Sequence, residues 1–141
     1  MYIIKSEIEK KKTLELIENF KKAIEEVNNS DIEDLLKEAQ INGYKIQIHD
    51  LEKQIEEYEE LKKGNYKLPE ELILEELLQT LIKIRISRGI SQSELARLLN
   101  VPRQQVNRYE DREYQGVNIE RIFQILKILG IKSSIKLKNA A

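Results

Sequence analysis

Five side chains within six residues, Arg103, Gln104, Gln105, Asn107 and Arg108, carry the hydrogen-bonding chemistry that reads nucleic-acid bases. An arginine fork pairs with the O6 and N7 acceptors of guanine, and the amides of Asn and Gln match N6 and N7 of adenine. On a helix, Arg103, Gln104, Asn107 and Arg108 fall on one outward face, whereas Val106 and Tyr109 point inward at a spacing of three. Gln105 is placed for a phosphate rather than a base.

Such residues work only on a helix delivered at a fixed angle, and the preceding residues supply one. Ser91 followed by Glu94 is a capping box that satisfies amides at a helix start. Leu95, Ala96 and Leu99 then share a face, and Ala96 is small enough for close approach of another helix. Asn100 tolerates the left-handed conformation that ends a helix. Val101 plugs the core, and Pro102 suits the first position of the next helix. Two short helices joined by a tight turn, the second with a polar outer face, form a helix-turn-helix.

The pattern Arg85-x-x-x-Gly89-Ile90-Ser91-Gln92-x-Glu94-Leu95-Ala96-x-x-Leu99-x-Val101, with Val106 and Tyr109-Glu110 beyond it, resembles the Cro/C1-type (XRE) helix-turn-helix family over residues 77–131. The resemblance implies five helices, with 91–99 as the second and 102–110 as the recognition helix. It implies a phosphate contact for Gln92, base contacts for Arg103, Gln104 and Arg108, and an internal salt bridge between Arg85 and Glu110. The chain departs from the family at Asn100 and Pro102, where relatives carry Gly and Ser or Thr, so the recognition helix lacks a hydroxyl cap. Asp111 would repel phosphate and is not a contact.

The net charge of −1 hides this chemistry, because the charge is unevenly distributed. Residues 1–68 hold 12 Lys and no Arg against 16 acids, a net of −4. Residues 77–141 hold 5 Lys and 7 Arg against 5 acids, a net of +7, and include every arginine of the chain. That asymmetry is the footprint of a basic DNA module joined to a module with another partner.

The first half reads as helical. Leu14, Ile17, Phe20, Ile24 and Val27 predict an amphipathic helix over 7–27, and 28–31 a break with a new cap. Ile41, Tyr44, Ile48, Leu51, Ile55 and Tyr58 recur at heptad spacing within a longer predicted helix over 31–63. That seam requires a partner: the first helix folded back, the same helix of a second subunit, or both. Asn42-Gly43 before an alternating run is a competing hairpin signal. No strand-like run precedes it, so the helix is the expectation.

Gly64-Asn65 ends the long helix, and Pro69 with Glu70 and Glu71 predicts the next helix start. Asn118 caps a last helix that Gly130 stops. Residues 131–137 alternate apolar Ile131, Ile135 and Leu137 with Lys132 and Lys136, predicting a short strand. It must pair with its counterpart in a second subunit or with Tyr2-Ile3-Ile4. The expected architecture is mainly all-α. It comprises a helical hairpin or coiled coil over 1–64 for dimerisation or partner binding, and a five-helix Cro/C1-type domain over 65–141 with a C-terminal strand.

The sequence offers no catalytic signature: no Gly-rich phosphate loop, HExxH or nucleophile elbow. The single histidine, His49, has no second His or Cys nearby in the sequence, and cysteine is absent. Neither cofactor nor metal is expected, and no signal peptide or membrane span is read, so a cytoplasmic protein is expected. The acidic helical start, Leu81–Gly89 and Gln104–Glu110 together resemble HigA-like type II antitoxins. This second resemblance implies a cognate toxin and autoregulation. The expected partners are thus palindromic double-stranded DNA, a second copy in a homodimer or higher even oligomer, and a toxin. A phage or mobile-element repressor without a toxin, or a coiled-coil adaptor that does not bind DNA, are the alternatives.

Overall fold

The computed structural model describes residues 2–141, which form six helices and no strand. They divide into two compact units, one ending at Lys63 and the other beginning at Gly64.

The first unit is a helical hairpin of α1 (Glu7–Asn28) and α2 (Asp34–Lys62). Ser6 Oγ accepts from the Glu9 amide at 3.2 Å, and Glu7 and Glu9 place negative charge in the first turn. Both choices complement the positive end of the helix. The last turn of α1 has no basic residue of its own, but Lys37 of α2 donates to the Asn28 carbonyl at 3.2 Å. α2 is continuous through Asn42-Gly43, so the hairpin signal there is overridden by packing of the helix.

The heptad seam is occupied within the chain. Ile17 and Tyr58 are buried, Ile41, Tyr44, Ile48, Leu51 and Ile55 are half-buried, and Phe20 meets Tyr44 with ring centroids 5.7 Å apart. Of the two partners open to the seam, the folded-back first helix packs against it within the chain. At the open end, Lys10 pairs with Glu59, Lys62 with Glu7 and, at 3.7 Å, with Glu59. Tyr58 donates to Glu7 at 3.2 Å.

The second unit packs α3 (Leu74–Ser87), α4 (Gln92–Leu99), α5 (Arg103–Asp111) and α6 (Ile119–Ile128). Its core comprises Leu81, Ile82, Ile84, Leu95, Leu99, Val106, Tyr114, Ile122, Ile125 and Leu129. α3 ends in a Schellman turn: the amides of Gly89 and Ile90 donate to the carbonyls of Ile86 and Arg85 at 3.0 and 3.2 Å. Gly89 takes the left-handed conformation, φ +70°, that this turn requires. Asn100 does the same after α4, at φ 57° and ψ 46°.

Three expectations are corrected. Helix α3 starts at Leu74 rather than Pro69, because Ile73 is extended and Glu75 and Glu76 supply the first-turn acids. The unit has four helices rather than five: beyond α5, Glu113, Tyr114 and Gly116 all have positive φ, which no right-handed helix accommodates. Residues 131–137 form no strand, since nothing in the described residues pairs with them, and Ile135 and Leu137 are 69% and 92% exposed.

The charge lattice closing the hairpin makes its stability depend on pH. A hydrogen bond from Lys62 holds the Glu7 carboxyl below its usual 4.5, and one from Lys10 lowers Glu59 likewise. Glu7 in turn raises Lys62 above 10.5. Stabilisation from the carboxylates is present above pH 4.5 and lost as pH falls through their folded values; that from Lys62 is present below 10.5 and lost above it. These groups are exposed, so each pair contributes only about 0–1 kcal/mol. Glu7→Gln is expected to lower stability at pH 7 by that amount and to lose less than wild type between pH 5 and pH 3. Urea melts of both proteins check this, and parallel curves would contradict it.

Candidate nucleic-acid interface

The orientation of α5 is fixed from inside. Arg85 on α3 reaches Glu110 near the end of α5 through two hydrogen bonds, Nε to Oε2 at 2.6 Å and Nη2 to Oε1 at 2.8 Å. The two side chains are 3% and 0% exposed. Arg85 Nη1 also donates to the Ile90 carbonyl at 2.8 Å. Gln92 at the start of α4 gives its amide to Glu110 Oε1 at 2.9 Å, and the Tyr114 hydroxyl reaches Oε2 at 3.4 Å. Burial, followed by the Glu110 charge, raises the Tyr114 phenol far above its usual pKa, which keeps it a donor.

One carboxylate thus collects α3, α4 and the turn after α5. With Val106 fully buried on the same side, rotation of α5 about its axis is settled. Arg103, Gln104 and Arg108 are consequently exposed, and Gln105 and Asn107 half-exposed. The N-cap Pro102 offers no side-chain acceptor to the first turn of α5, where the Gln105 amide donates to the Pro102 carbonyl at 2.9 Å.

Gln92, for which the resemblance implies a phosphate contact, directs its side-chain amide at Glu110. It is 3% exposed and turned inward, because a buried carboxylate has room for more donors than Arg85 supplies. Its Oε1 accepts from Arg103 Nη2 at 3.4 Å.

Beside α5 an open groove of about 490 Å³ is lined by Arg108, Arg112 and Arg121, with Gln105, Gln115 and Asn118 between them. Its shape comes from the left-handed pair Glu113 and Tyr114. A buried tyrosine at φ 60° is an unfavourable backbone state. Packing against Tyr109, with centroids 6.0 Å apart, and a Gln79–Glu113 hydrogen bond of 3.0 Å hold the turn. Asn118 Oδ1 caps α6 by accepting from the Arg121 amide at 2.8 Å, and Arg121 Nη1 donates to the Leu99 carbonyl at 3.4 Å. Sequence reasoning singled out none of Arg112, Gln115 and Arg121, which line this groove. The confinement of arginine to this half of the chain was the signal that included two of them.

Residues 81–135 match the family model described as helix-turn-helix. Over this part the chain is similar to the helix-turn-helix family, and the match covers less than half of the chain. Comparisons with curated proteins and with solved structures return no match. The helix-turn-helix domain supports a DNA-binding transcription regulator. No helix among the described residues is long and apolar enough to cross a membrane.

The buried pair predicts an asymmetric response to mutation. Arg85→Met leaves the Glu110 carboxylate without its main partner and should cost about 3–5 kcal/mol. Adding Glu110→Leu removes the orphan charge and should recover part of that loss. Urea denaturation measures both; a double variant less stable than Arg85→Met would show that the cost lies in packing, not in the unpaired charge.

Proposed function

We propose that this protein is a sequence-specific transcription regulator that reads a palindromic operator as a dimer. The observation that carries the reading is the outward face of α5. Arg103, Gln104, Asn107 and Arg108 stand on a helix whose rotation is fixed by Glu110, beside a groove lined by arginines. Base-reading side chains supply discrimination, and the groove supplies backbone contacts that set register.

Within that reading the protein is an autoregulating antitoxin with a cognate toxin. Two features support this: the hairpin is a separate unit, and residues 1–68 are acidic and free of arginine. A repressor without a toxin is the second reading. The observation favouring it is that the heptad seam is filled by α1, which leaves that seam no need of a partner protein. Coexpression with the neighbouring open reading frame separates the two: a stable copurifying protein that arrests growth alone supports the antitoxin, and its absence supports the plain repressor.

Dimerisation is proposed to use residues 131–137, where the apolar side chains of Ile135 and Leu137 are exposed in the single chain. Ile135→Lys with Leu137→Glu should convert the dimer to a monomer without lowering helix content, because neither residue is in the core. Light scattering and circular dichroism check this, and an intact dimer would place the contact elsewhere.

For DNA, Gln104→Ala and Arg108→Ala should each remove roughly 1–3 kcal/mol of discrimination at one base pair. Arg112→Ala should weaken binding to all duplexes alike and reduce the slope of log K against log salt by about 0.9. Fluorescence anisotropy on a selected operator and on random duplex, across a salt series, distinguishes the two behaviours. Equal losses on both duplexes for all three variants would mean that α5 does not read bases.

A further inference from the structure

We propose that the groove beside α5 is a binding site for a compact polyphosphate anion, free or as the tail of a nucleotide, which competes with the duplex for Arg108 and Arg112. The site rests on the groove itself, and the competition rests on the proposed DNA reading of α5.

The charge in the groove is uncompensated. Arg108 and Arg112 stand one turn apart on the same side of α5, and Arg121 of α6 lines the same groove. No Asp or Glu is among the lining residues, and among the described residues none of the three arginines forms an ion pair. Arg121 uses one nitrogen on the Leu99 carbonyl, at 3.4 Å, whereas the side chains of Arg108 and Arg112 make no hydrogen bond. Like charges gathered around one hollow repel one another, and an anion between them removes that repulsion. Each guanidinium is a planar fork that pairs with two phosphate oxygens at once. The side-chain amides of Gln105, Gln115 and Asn118 stand between the arginines and donate to further oxygens.

The shape suits a small ligand better than a duplex. The groove holds about 490 Å³, and small-molecule sites span roughly 300–1,000 Å³. A duplex presents its phosphates at fixed spacing on a convex surface, so it meets only the rim of such a groove. A flexible polyphosphate carries several charges into it. The wall is pre-formed, because Glu113, Tyr114 and Gly116 hold positive φ and the buried Tyr114 donates to Glu110 at 3.4 Å. A fixed wall reduces the ordering cost of binding. The half-buried ring of Tyr109 also lines the groove and provides an aromatic surface for a base. Ligand and duplex both need Arg108 and Arg112, so each weakens binding of the other by the same factor.

The test uses the full chain, with tripolyphosphate and ATP as probes, in the absence of divalent cations and at constant ionic strength. Calorimetry without DNA should show saturable binding, and the backbone amide resonances of residues 115–118 should shift in a 15N correlation spectrum. Gln115→Glu places a carboxylate in the groove at an exposed position, and should weaken binding by at least about tenfold, the scale of a hydrogen bond to a charged group. Arg121→Gln should do likewise. Tighter binding of ATP assigns the ligand to the nucleotides, and equal binding assigns it to free polyphosphate. Each probe should also raise the apparent Kd for a random duplex in proportion to its concentration, whereas sulfate at the same ionic strength should not. No saturable binding, undiminished binding by Gln115→Glu, or displacement matched by sulfate would overturn the site. Probe binding that leaves duplex affinity unchanged would overturn the competition. Wild-type protein that binds the probes but no duplex at low salt would instead defeat the DNA reading and leave the groove site standing.

Discussion

Removing the Glu110 carboxylate from water carries a desolvation penalty of several kcal/mol, recovered only if nearly every lone pair finds a donor. Arg85 provides two, Gln92 a third and Tyr114 a fourth. These donors come from α3, α4 and the turn beyond α5, so satisfying one charge fixes the relative placement of the helix-turn-helix. An apolar core could bury the same area, but apolar contacts are non-directional and would leave α5 free to rotate by part of a turn. Because the pair is directional, the outward set of side chains is unique. The outward face of α5 is thereby set by a group that is itself buried.

The hairpin is built on different terms. α1 and α2 bury a narrow apolar line, with half-buried rather than buried residues along most of the seam. Its charged pairs lie at the open end and are solvent-exposed, so they set register more than they add stability. α2 has no side-chain hydrogen bond at its N-cap Glu33, in contrast to α1, α4 and α6. A long helix held mainly by one seam opens locally at lower free energy than helices packed around a core. The rigidly held face of α5 and the softer hairpin occupy different parts of the chain.

Where local chemistry decides structure, the residues spoke plainly. Ser91 and Asn118 accept from the amides three residues on, and Asn100 takes the left-handed state. The 3.6-residue periodicity carried α2 through Asn42-Gly43, where a short-range turn signal pointed the other way. Where tertiary contacts decide, the sequence was silent. Nothing local marks Glu113 and Tyr114 for positive φ; a tyrosine adopts it because its ring and hydroxyl are anchored by Tyr109 and Glu110. Gln92 looked like a surface amide, since its inward turn depends on a carboxylate 18 residues away. Residues 131–137 had the period of a strand but no neighbour in the chain, and period alone does not make a ladder.

The exposed residues 133–138 have a consequence for strand pairing. A segment with Ile135 and Leu137 exposed on one side has the pattern of a sheet edge, able to template growth of further strands. Lys132, Lys136 and Lys138 are interleaved with these residues, and no acid lies beyond Glu120 to neutralise them. Successive in-register copies would stack lysine on lysine, so like-charge repulsion rises with every strand added. The alternation that suits the segment to pairing with one further strand therefore also limits the addition of more.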